Sequence, residues 1–251
     1  MNFDLPVRLD RLQNDRLWLV PLEECSTTVI EQLVDETGIK HPKLWEYFPR
    51  GPFTTADSYM SWYNKNIKPD PSAVIFAIFL KAGTITRKIS GSTETLEVAE
   101  GTFAGTTGLT NASSQHARVE MGFLMVLPEF QRTFVNTHAS CLLLKHLLDP
   151  ISGGDLGLRR VQWQANSLNK PSIAAAERLG FTLEGIMRWE RTQLGDHKKC
   201  VSEERNERTG GLPMTNANGG RLGAGRHSAM LSMCWDDWLE GHRERALGLL
   251  I

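Results

Sequence analysis

The chain has few cysteines, and none of them forms a recognisable pair. Its 251 residues include four, all far apart in sequence: Cys25, Cys141, Cys200 and Cys234. No Cys-x-x-Cys motif occurs and no histidine stands at metal-ligand spacing from a cysteine, so the pattern does not indicate a zinc site. We therefore predict free thiols in a reducing compartment and no bound metal. A secreted protein with two disulfides is the less favoured alternative.

Long apolar runs and a strong net charge are also missing. The longest apolar run, Ala73–Leu80, is far too short to span a bilayer. The N-terminal segment carries charges where a secretory signal needs an apolar run. The net charge of −1 comes without a dense basic block, which argues against nucleic acid as the main partner. These absences predict a cytoplasmic protein that binds neither a membrane nor nucleic acid.

What is present is typical of a folded globular domain, with 41% apolar and 23% charged residues. Hydrophobic periodicity predicts strands alternating with helices, which implies crossover connections and a partly parallel sheet. The predicted strands are Arg16–Leu22, Ala73–Leu80, Thr102–Thr110, Arg118–Val126, Arg160–Ala165, Thr182–Arg191 and His227–Cys234. The predicted helices are Thr27–Thr37, Ala56–Ile67, Val135–Leu148, an Ala-rich helix that stops at Gly180, and Asp236–Leu250. We expect one α/β domain over residues 1–251.

Two polar segments interrupt this pattern. The first, at about residues 83–101, is rich in threonine and serine and reads as an extended hairpin or a loop insertion. The second, at about residues 194–225, is rich in charged residues, glycine and asparagine. We interpret the second segment as a mobile loop, because too little chain follows it to fold alone.

A polar turn precedes the Ala-rich helix. Asn169 and Ser172 place an amide and a hydroxyl side by side at the helix N-terminus. The alanines at 174–176 keep the helix slim, so an extended ligand can lie against it. The alternative interpretation is an ordinary N-cap.

The loop that follows the strand Arg118–Val126 is a candidate anion site. A polar stretch, Gln131–Thr133, leads into a helix start, where unpaired N–H groups attract phosphate. Arg132 could add a charge-assisted contact. An ordinary strand–loop–helix connection is the alternative.

Glu120 is an acid inside an otherwise apolar strand. If its face of the strand is buried, its pKa is raised and it can accept a proton from an amine. If it lies on the alternate face, it simply points to solvent. A separate aromatic segment, Trp45–Phe53, is broken by proline and glycine and is typical of a loop that covers a cleft.

Taken together and in order, these features resemble the GNAT superfamily of acetyl-CoA-dependent N-acetyltransferases. The closest likeness is to the branch of the ribosomal-protein alanine acetyltransferases and their small-molecule relatives. The resemblance is strongest over Val161–Arg188, which includes Asn169 and Ser172. The segment Glu120–Phe123 resembles the strand before the cofactor loop, and Trp45–Phe53 resembles the substrate-side helix and loop.

The resemblance implies a fold and an activity. We expect a mixed, twisted sheet of about seven strands, with helices that cover its faces. Its central parallel strands, Arg118–Val126 and Arg160–Ala165, would splay to admit the pantetheine arm. The reaction would transfer an acetyl group from acetyl-CoA directly to a primary amine in a ternary complex. The acceptor would be a small molecule or a peptide N-terminus, and the enzyme a monomer or homodimer without a metal.

The resemblance also implies residue roles. Glu120 would be the base, and Ser172 would protonate the departing thiolate. The expected cofactor-binding residues are Met125, Val126, Gln131, Arg132, Thr133, Phe134, Val135, Asn136, Thr137, Asn169 and Ser172. The expected acceptor-binding residues are Trp45, Tyr47, Phe48, Phe53 and Glu120.

One departure from the family pattern keeps two alternatives open. The glycines of the family's pyrophosphate loop fall on Phe134 and Asn136 here. Glycine lets backbone approach phosphate closely, so their loss could weaken CoA binding. The alternatives are a CoA-binding or regulatory module with weak or no catalysis, and an acyltransferase that uses a larger acyl-CoA.

Overall fold

The computed structural model describes residues 2–89, 91–193 and 224–250. The strands within these ranges are β1 (Leu17–Pro21), β2 (Val74–Leu80), β3 (Gly83–Ile89), β4 (Ser92–Val98), β5 (Thr102–Ser113), β6 (Arg118–Val126), β7 (Arg160–Asn166), β8 (Thr182–Gln193) and β9 (Ala224–Cys234). The helices are α1 (Thr27–Val34), α2 (Ala56–Asn66), α3 (Val135–Leu148), α4 (Lys170–Leu179) and α5 (Arg243–Gly248). Shorter helical turns cover Leu9–Arg11, Leu22–Glu24, Asp35–Lys40, Pro42–Trp45, Pro128–Phe130, Ile151–Gly153, Trp235–Asp237 and Trp238–His242.

The main sheet of the described residues has seven strands in the order β1-β2-β5-β6-β7-β9-β8. Its central pair, β6 and β7, is parallel, and the other neighbours are antiparallel. The parallel pair follows from the crossover through α3. The helix returns the chain to the end of the sheet where β6 began, so that β7 runs in the same direction as β6. The predicted mixed α/β sheet, with antiparallel β5 and β6 beside parallel β7, is therefore confirmed.

Helix α3 forms much of the core. Its apolar side chains Val135, Leu143 and Leu147 are fully buried against the sheet. Two polar side chains of the helix are buried as well. Asn14 Nδ2 lies 2.9 Å from Nδ1 of His138. His146 accepts from the backbone N–H of Arg8 at 3.2 Å, and its Nδ1 is 2.9 Å from Asp155. These contacts give both histidines a structural role inside the core.

The first polar insertion folds as a hairpin. β3 and β4 pair along their whole length, from Gly83 opposite Val98 to Ile89 opposite Ser92. Its Arg87 donates to the carbonyl oxygens of Pro128 at 3.2 Å and Glu129 at 2.9 Å. The hairpin therefore supports the loop between β6 and α3.

Three predicted boundaries need correction. Residues 194–223 of the second insertion lie outside the described residues, but Ala224 and Gly225 already belong to β9. They pair with Gln193 and Thr192 of β8, so the ladder overrides their loop-like composition. The C-terminal helix predicted over Asp236–Leu250 is broken near Gly241, whose φ of 125° is not helical. The first helix does not stop at Gly38 but continues as a π-helical turn to Lys40.

Two further expectations concern thiols and membranes. The cysteines at 25, 141 and 234 are free, and Cys200 lies outside the described residues. Among the described helices, none combines the length and apolar character that a membrane crossing requires.

Candidate active site

The parallel strands β6 and β7 part halfway along β6. Their register runs from Arg118 opposite Arg160 only as far as Met121 opposite Trp163. β6 continues to Val126, whereas β7 stays paired with β9 up to Asn166. The backbone groups of β6 that face β7 beyond Met121 thus lack a strand partner in the described register. Such groups need another hydrogen-bond partner, and a ligand can supply it.

A bulge in β6 lies at the point where the strands separate. The register between β5 and β6 shifts between Gly122 and Met125, and Phe123 within the shift has a φ of 54°. Thr106 Oγ1 donates to the carbonyl oxygen of Phe123 at 2.8 Å and holds the bulge from the neighbouring strand. Opposite it, Gly105 has a φ of 140°, and a Cβ there would lie 2.1 Å from the carbonyl oxygen of Met125. The bulge therefore depends on glycine at 105.

A groove of about 840 Å³ opens where the strands part. It runs between the loop after β6 and the N-terminal half of α4. The predicted cofactor residues that line it are Met125, Val126, Gln131, Arg132, Thr133, Asn136, Thr137, Asn169 and Ser172. The structure thus brings together two loops that are more than thirty positions apart, each at the end of a parallel strand.

The loop between β6 and α3 is held by its own side chains. Gln131 Nε2 donates to the carbonyl oxygen of Val126 at 3.0 Å. Thr133 Oγ1 donates to the carbonyl oxygen of Phe130 at 2.6 Å and accepts from the N–H of Val135 at 3.3 Å. These bonds fix the start of α3, where the positive end of the helix dipole favours an anion.

Phe134 and Val135 point away from the groove. The guanidinium carbon of Arg16 lies 3.6 Å from the centre of the Phe134 ring, whose centroid is 4.8 Å from that of His138. Val135 is completely buried. The phenylalanine at a family glycine position therefore packs against Arg16 and leaves the groove open, whereas Asn136 lines it.

Asn169 and Ser172 serve as a cap and as groove lining at once. The N–H of Ser172 donates to Oδ1 of Asn169 at 3.1 Å, which is the N-cap arrangement of α4. Trp163 Nε1 donates to Ser172 Oγ at 3.0 Å. Because the hydroxyl oxygen accepts from Trp163, its hydrogen remains available to a further acceptor.

A cleft of about 240 Å³ continues from the groove on the other side of the split. Glu120 lines it and is only 6% exposed, so the solvent-facing alternative is wrong. Burial raises the pKa of Glu120, while a hydrogen bond donated by Asn111 at 3.0 Å and the charge of Arg191 act in the opposite direction. A carboxyl group with a raised pKa is suited to general base chemistry near neutral pH.

The aromatic residues predicted at the acceptor site divide into two groups. Tyr47 and Phe48 line the cleft. Trp45 and Phe53 lie behind them, with ring centroids 5.3 Å apart, and Phe53 also contacts Tyr59 at 5.3 Å. The second group supports Phe48, whose ring centroid is 5.4 Å from that of Trp45.

Sequence reasoning missed several polar residues of the cleft, among them Asn111, Gln164, Arg191 and Arg226. Asn111 fell in a predicted turn, because β5 was expected to end at Thr110. Arg226 stood at the edge of the polar segment, next to an apolar strand. Glu120 was singled out as a charge inside an apolar strand, whereas Arg226 lies at the border of one, so the same signal was weaker there.

One group of acidic and thiol side chains near the end of β9 forms a helix cap. Among the described residues, a group with ligand-like spacing is Cys234 with Asp236 and Asp237. Asp237 Oδ2 accepts from the N–H of Cys234 at 2.9 Å, which makes this group the cap of the helical turn that follows β9.

Comparisons with known proteins concern the family and the fold. The family model described as an acetyltransferase (GNAT) domain matches residues 16–182. No curated protein sequence matches the chain at a significant level. Among solved structures, a GCN5-related N-acetyltransferase from Brucella melitensis is 20% identical, with a TM-score of 0.65 over 96% of this chain and 85% of that one.

Two further solved structures share the fold and carry CoA-type ligands. Mycobacterium smegmatis RimJ, in complex with CoA-disulfide, is 14% identical, with a TM-score of 0.59 over 92% of this chain and 88% of that one. Spermidine N-acetyltransferase from Vibrio cholerae, in complex with CoA and spermine, is 15% identical, with a TM-score of 0.54 over 90% and 99%. At these identities the likeness concerns the fold.

Proposed function

We propose, from the premise that this chain belongs to the acetyltransferase (GNAT) domain family, that it transfers an acetyl group from acetyl-CoA to a primary amine. The amine attacks the thioester directly while both substrates are bound. Holding the two reactants together removes much of the entropic barrier of a bimolecular reaction. Residues 1–251 would act as one domain, since β8 and β9 extend beyond the matched range yet pair in the same sheet.

The continuity of the groove and the cleft carries this proposal. The residues that line both are Tyr47, Phe48, Leu124, Trp163, Asn169 and Ser172. An extended cofactor in the groove would therefore present its thioester where the cleft begins, with Glu120 on the far side. The charged phosphates would lie at the start of α3, near Arg132.

The proposed transfer assigns a chemical role to groups of the groove and of the cleft. Glu120, directly or through a water, takes a proton from the ammonium group and frees the nitrogen lone pair. The nitrogen forms a bond to the carbonyl carbon, and backbone N–H groups near Met125 and Val126 stabilise the developing oxyanion. The C–S bond then breaks, and the thiolate receives the hydroxyl proton of Ser172. The acylated nitrogen releases its second proton, which restores the Ser172 hydroxyl, while Glu120 keeps the first. The products are an N-acetylated amine and CoA.

The test is transfer itself. Purified protein and acetyl-CoA are incubated with a metabolite extract, and mass spectrometry identifies products that have gained an acetyl group. CoA thiol release with single amines then gives the rates. We expect transfer to at least one class of amine. Binding of acetyl-CoA by calorimetry without turnover on any amine would instead support the non-catalytic module that the missing loop glycines suggest.

A change of acyl donor tests the remaining alternative, an acyltransferase that uses a larger acyl-CoA. The same assay with propionyl-CoA and longer acyl-CoA thioesters reports the acyl preference. We expect acetyl-CoA to be the best donor. Faster transfer from a longer thioester would identify the protein as an acyltransferase for larger groups.

A further inference from the structure

The acceptor cleft contains two arginines that the transfer chemistry does not use. Arg191 of β8 and Arg226 of β9 both line it, together with Glu120. They are direct cross-strand partners in the β8–β9 ladder. Like charges placed opposite each other on neighbouring strands destabilise a sheet unless other groups compensate them.

The charge of Arg191 is compensated within the protein. Its Nε lies 2.9 Å from Oε2 of Glu190, and its Nη2 donates to Gln164 Oε1 at 2.6 Å. Glu190 is further held by Ser228, whose hydroxyl donates to it at 2.9 Å. Glu190 is therefore already occupied by Arg191 and Ser228.

Arg226 differs, because no described residue forms an ion pair with it. Its side chain is only 5% exposed, and its Nε is buried without a hydrogen-bond partner. Burial, reinforced by repulsion from Arg191, lowers the pKa of Arg226 to about 10. The negative charges of Glu190 and Glu120 partly offset this effect, but neither carboxylate forms an ion pair with the guanidinium. A ligand carboxylate that pairs directly with this buried cation would therefore be bound strongly.

We propose that Arg226 binds a carboxylate of the acceptor, so that the substrate is a small amine of the amino-acid class. The inference rests on the proposed function, because it takes the cleft beside Glu120 to be the acceptor site. The planar guanidinium matches a carboxylate in a bidentate arrangement. The carboxylate at Arg226 would direct the amino group of the same molecule toward Glu120.

Charge and size favour this class over other amines. One carboxylate balances the one unpaired guanidinium, whereas a phosphate would bring a second negative charge next to Glu120. A polyamine would bring a further cation beside Arg226 and Arg191, where it would be repelled. The cleft volume of about 240 Å³ suits a small acceptor.

The experiment compares amino acids with their matching amino acid amides, which keep the amine and the side chain but lack the negative charge. CoA release is measured for each pair with the unaltered protein and with Arg226→Met, Arg226→Lys and Arg188→Met. Arg188 is exposed on the same strand as Arg191 and serves as the matched control. Thermal unfolding of each variant reports whether it is folded.

We expect the unaltered protein to prefer the carboxylates by roughly 10²-fold in kcat/KM, because the amide leaves Arg226 unpaired. Arg226→Met should abolish this preference, so that the ratio of kcat/KM for a carboxylate to that for its amide falls to about one. Arg226→Lys should keep part of it, and Arg188→Met all of it. The inference is overturned if the unaltered protein shows no preference, or if Arg226→Met leaves it intact. If a variant does not fold, the comparison of amino acids with their amides on the unaltered protein still tests whether the cleft prefers a carboxylate.

A binding measurement separates this inference from the proposed function. Calorimetry with N-acetyl amino acids and their amides, in the presence of CoA, reports carboxylate recognition without turnover. Binding that requires Arg226, with no transfer to any amine, would support the anion site and reject the transferase. Transfer to amines without any role for Arg226 would support the transferase and reject the anion site. If no N-acetyl amino acid binds and no amino acid reacts, the anion site is rejected.

Discussion

The cofactor groove and the acceptor cleft are built from the chain in different ways. The groove takes most of its polar lining from two short segments, Gln131–Thr137 and Asn169–Ser172, each of which follows a parallel strand. The cleft takes most of its polar side chains from five successive strands of the sequence, β5 to β9, among them Asn111, Glu120, Gln164, Arg191 and Arg226.

This difference explains why the sequence predicts the groove more completely than it predicts the cleft. A segment that binds a common cofactor carries its loop, helix start and polar side chains together, so the pattern can be read locally. A cleft assembled across strands depends on register, because a shift of one residue turns a side chain to the other face. The residues of the acceptor cleft are therefore single side chains from separate strands, and only the folded sheet brings them together.

The largest expected effect is the loss of activity when Glu120 of the cleft is replaced. Glu120→Gln removes the base but leaves the groove unchanged, so kcat/KM for the amine should fall by about 10²–10⁴-fold, the usual contribution of general base catalysis. The dissociation constant of acetyl-CoA, measured by calorimetry, should stay the same. Glu177→Gln, at an exposed position of α4, is the control and should change neither value. A parallel loss of affinity and turnover in Glu120→Gln would argue against a base.

The groove can be damaged separately through the bulge in β6. Gly105→Ala introduces a Cβ at a φ of 140° and within 2.1 Å of the Met125 carbonyl oxygen. Such strain costs on the order of 1–3 kcal/mol, and we expect a lower melting temperature together with weaker binding of acetyl-CoA. Gly185→Ala is the matched control, since a Cβ there meets no atom within 4 Å. Unchanged CoA affinity in a folded Gly105→Ala protein would show that the groove does not depend on the bulge.

Ser172 lies where the groove and the cleft meet, and a smaller effect is expected there. Ser172→Ala removes the proton donor to the thiolate, and we expect turnover to fall about tenfold, which equals roughly 1.4 kcal/mol. It also leaves Trp163 Nε1 without its acceptor. Trp163→Phe, which removes that N–H but keeps the hydroxyl, is the comparison that isolates the chemical role. If both variants slow the reaction equally, Ser172 contributes only through packing.

The smallest expected effect is on the pH dependence of protein stability, which the buried Glu120 lowers at high pH. Because burial raises the pKa of Glu120 above its ordinary value of 4.5, folding favours the protonated form of this carboxyl. The corresponding stability is present below pH 4.5 and is lost as the pH rises through the raised value. We expect Glu120→Gln to melt above the unaltered protein at pH 8, with a gap that narrows as the pH falls. A gap that does not depend on pH would contradict a raised pKa.

Much of the fold could be predicted because its periodic segments are unambiguous. The bounds of β6 and α3 were predicted to the residue, since each has a consistent apolar pattern between polar loops. The start of β9 was not, because Ala224 and Gly225 owe their strand conformation to pairing with β8 rather than to composition. The break at Gly241 was missed because a single glycine inside a helical pattern is usually tolerated.

The site follows the same rule. Asn169, Ser172 and the loop after β6 were predicted from local pattern, and the structure places them on one groove. The direction of Phe134 depends on Arg16, which is more than a hundred positions away. The pairing of Arg191 with Arg226 likewise depends on the register of β8 and β9. Neither could be read from the residues that surround these positions in the sequence.

The central claim is that the split between β6 and β7 holds acetyl-CoA with its sulfur end toward Glu120. A crystal structure of the protein with CoA tests it most directly. We predict the pantetheine arm between Leu124–Val126 and Asn169–Ser172, the pyrophosphate at the start of α3, and the sulfur atom at the mouth of the cleft that Glu120 lines. A CoA molecule bound outside this split, or one whose sulfur points away from Glu120, would contradict the account.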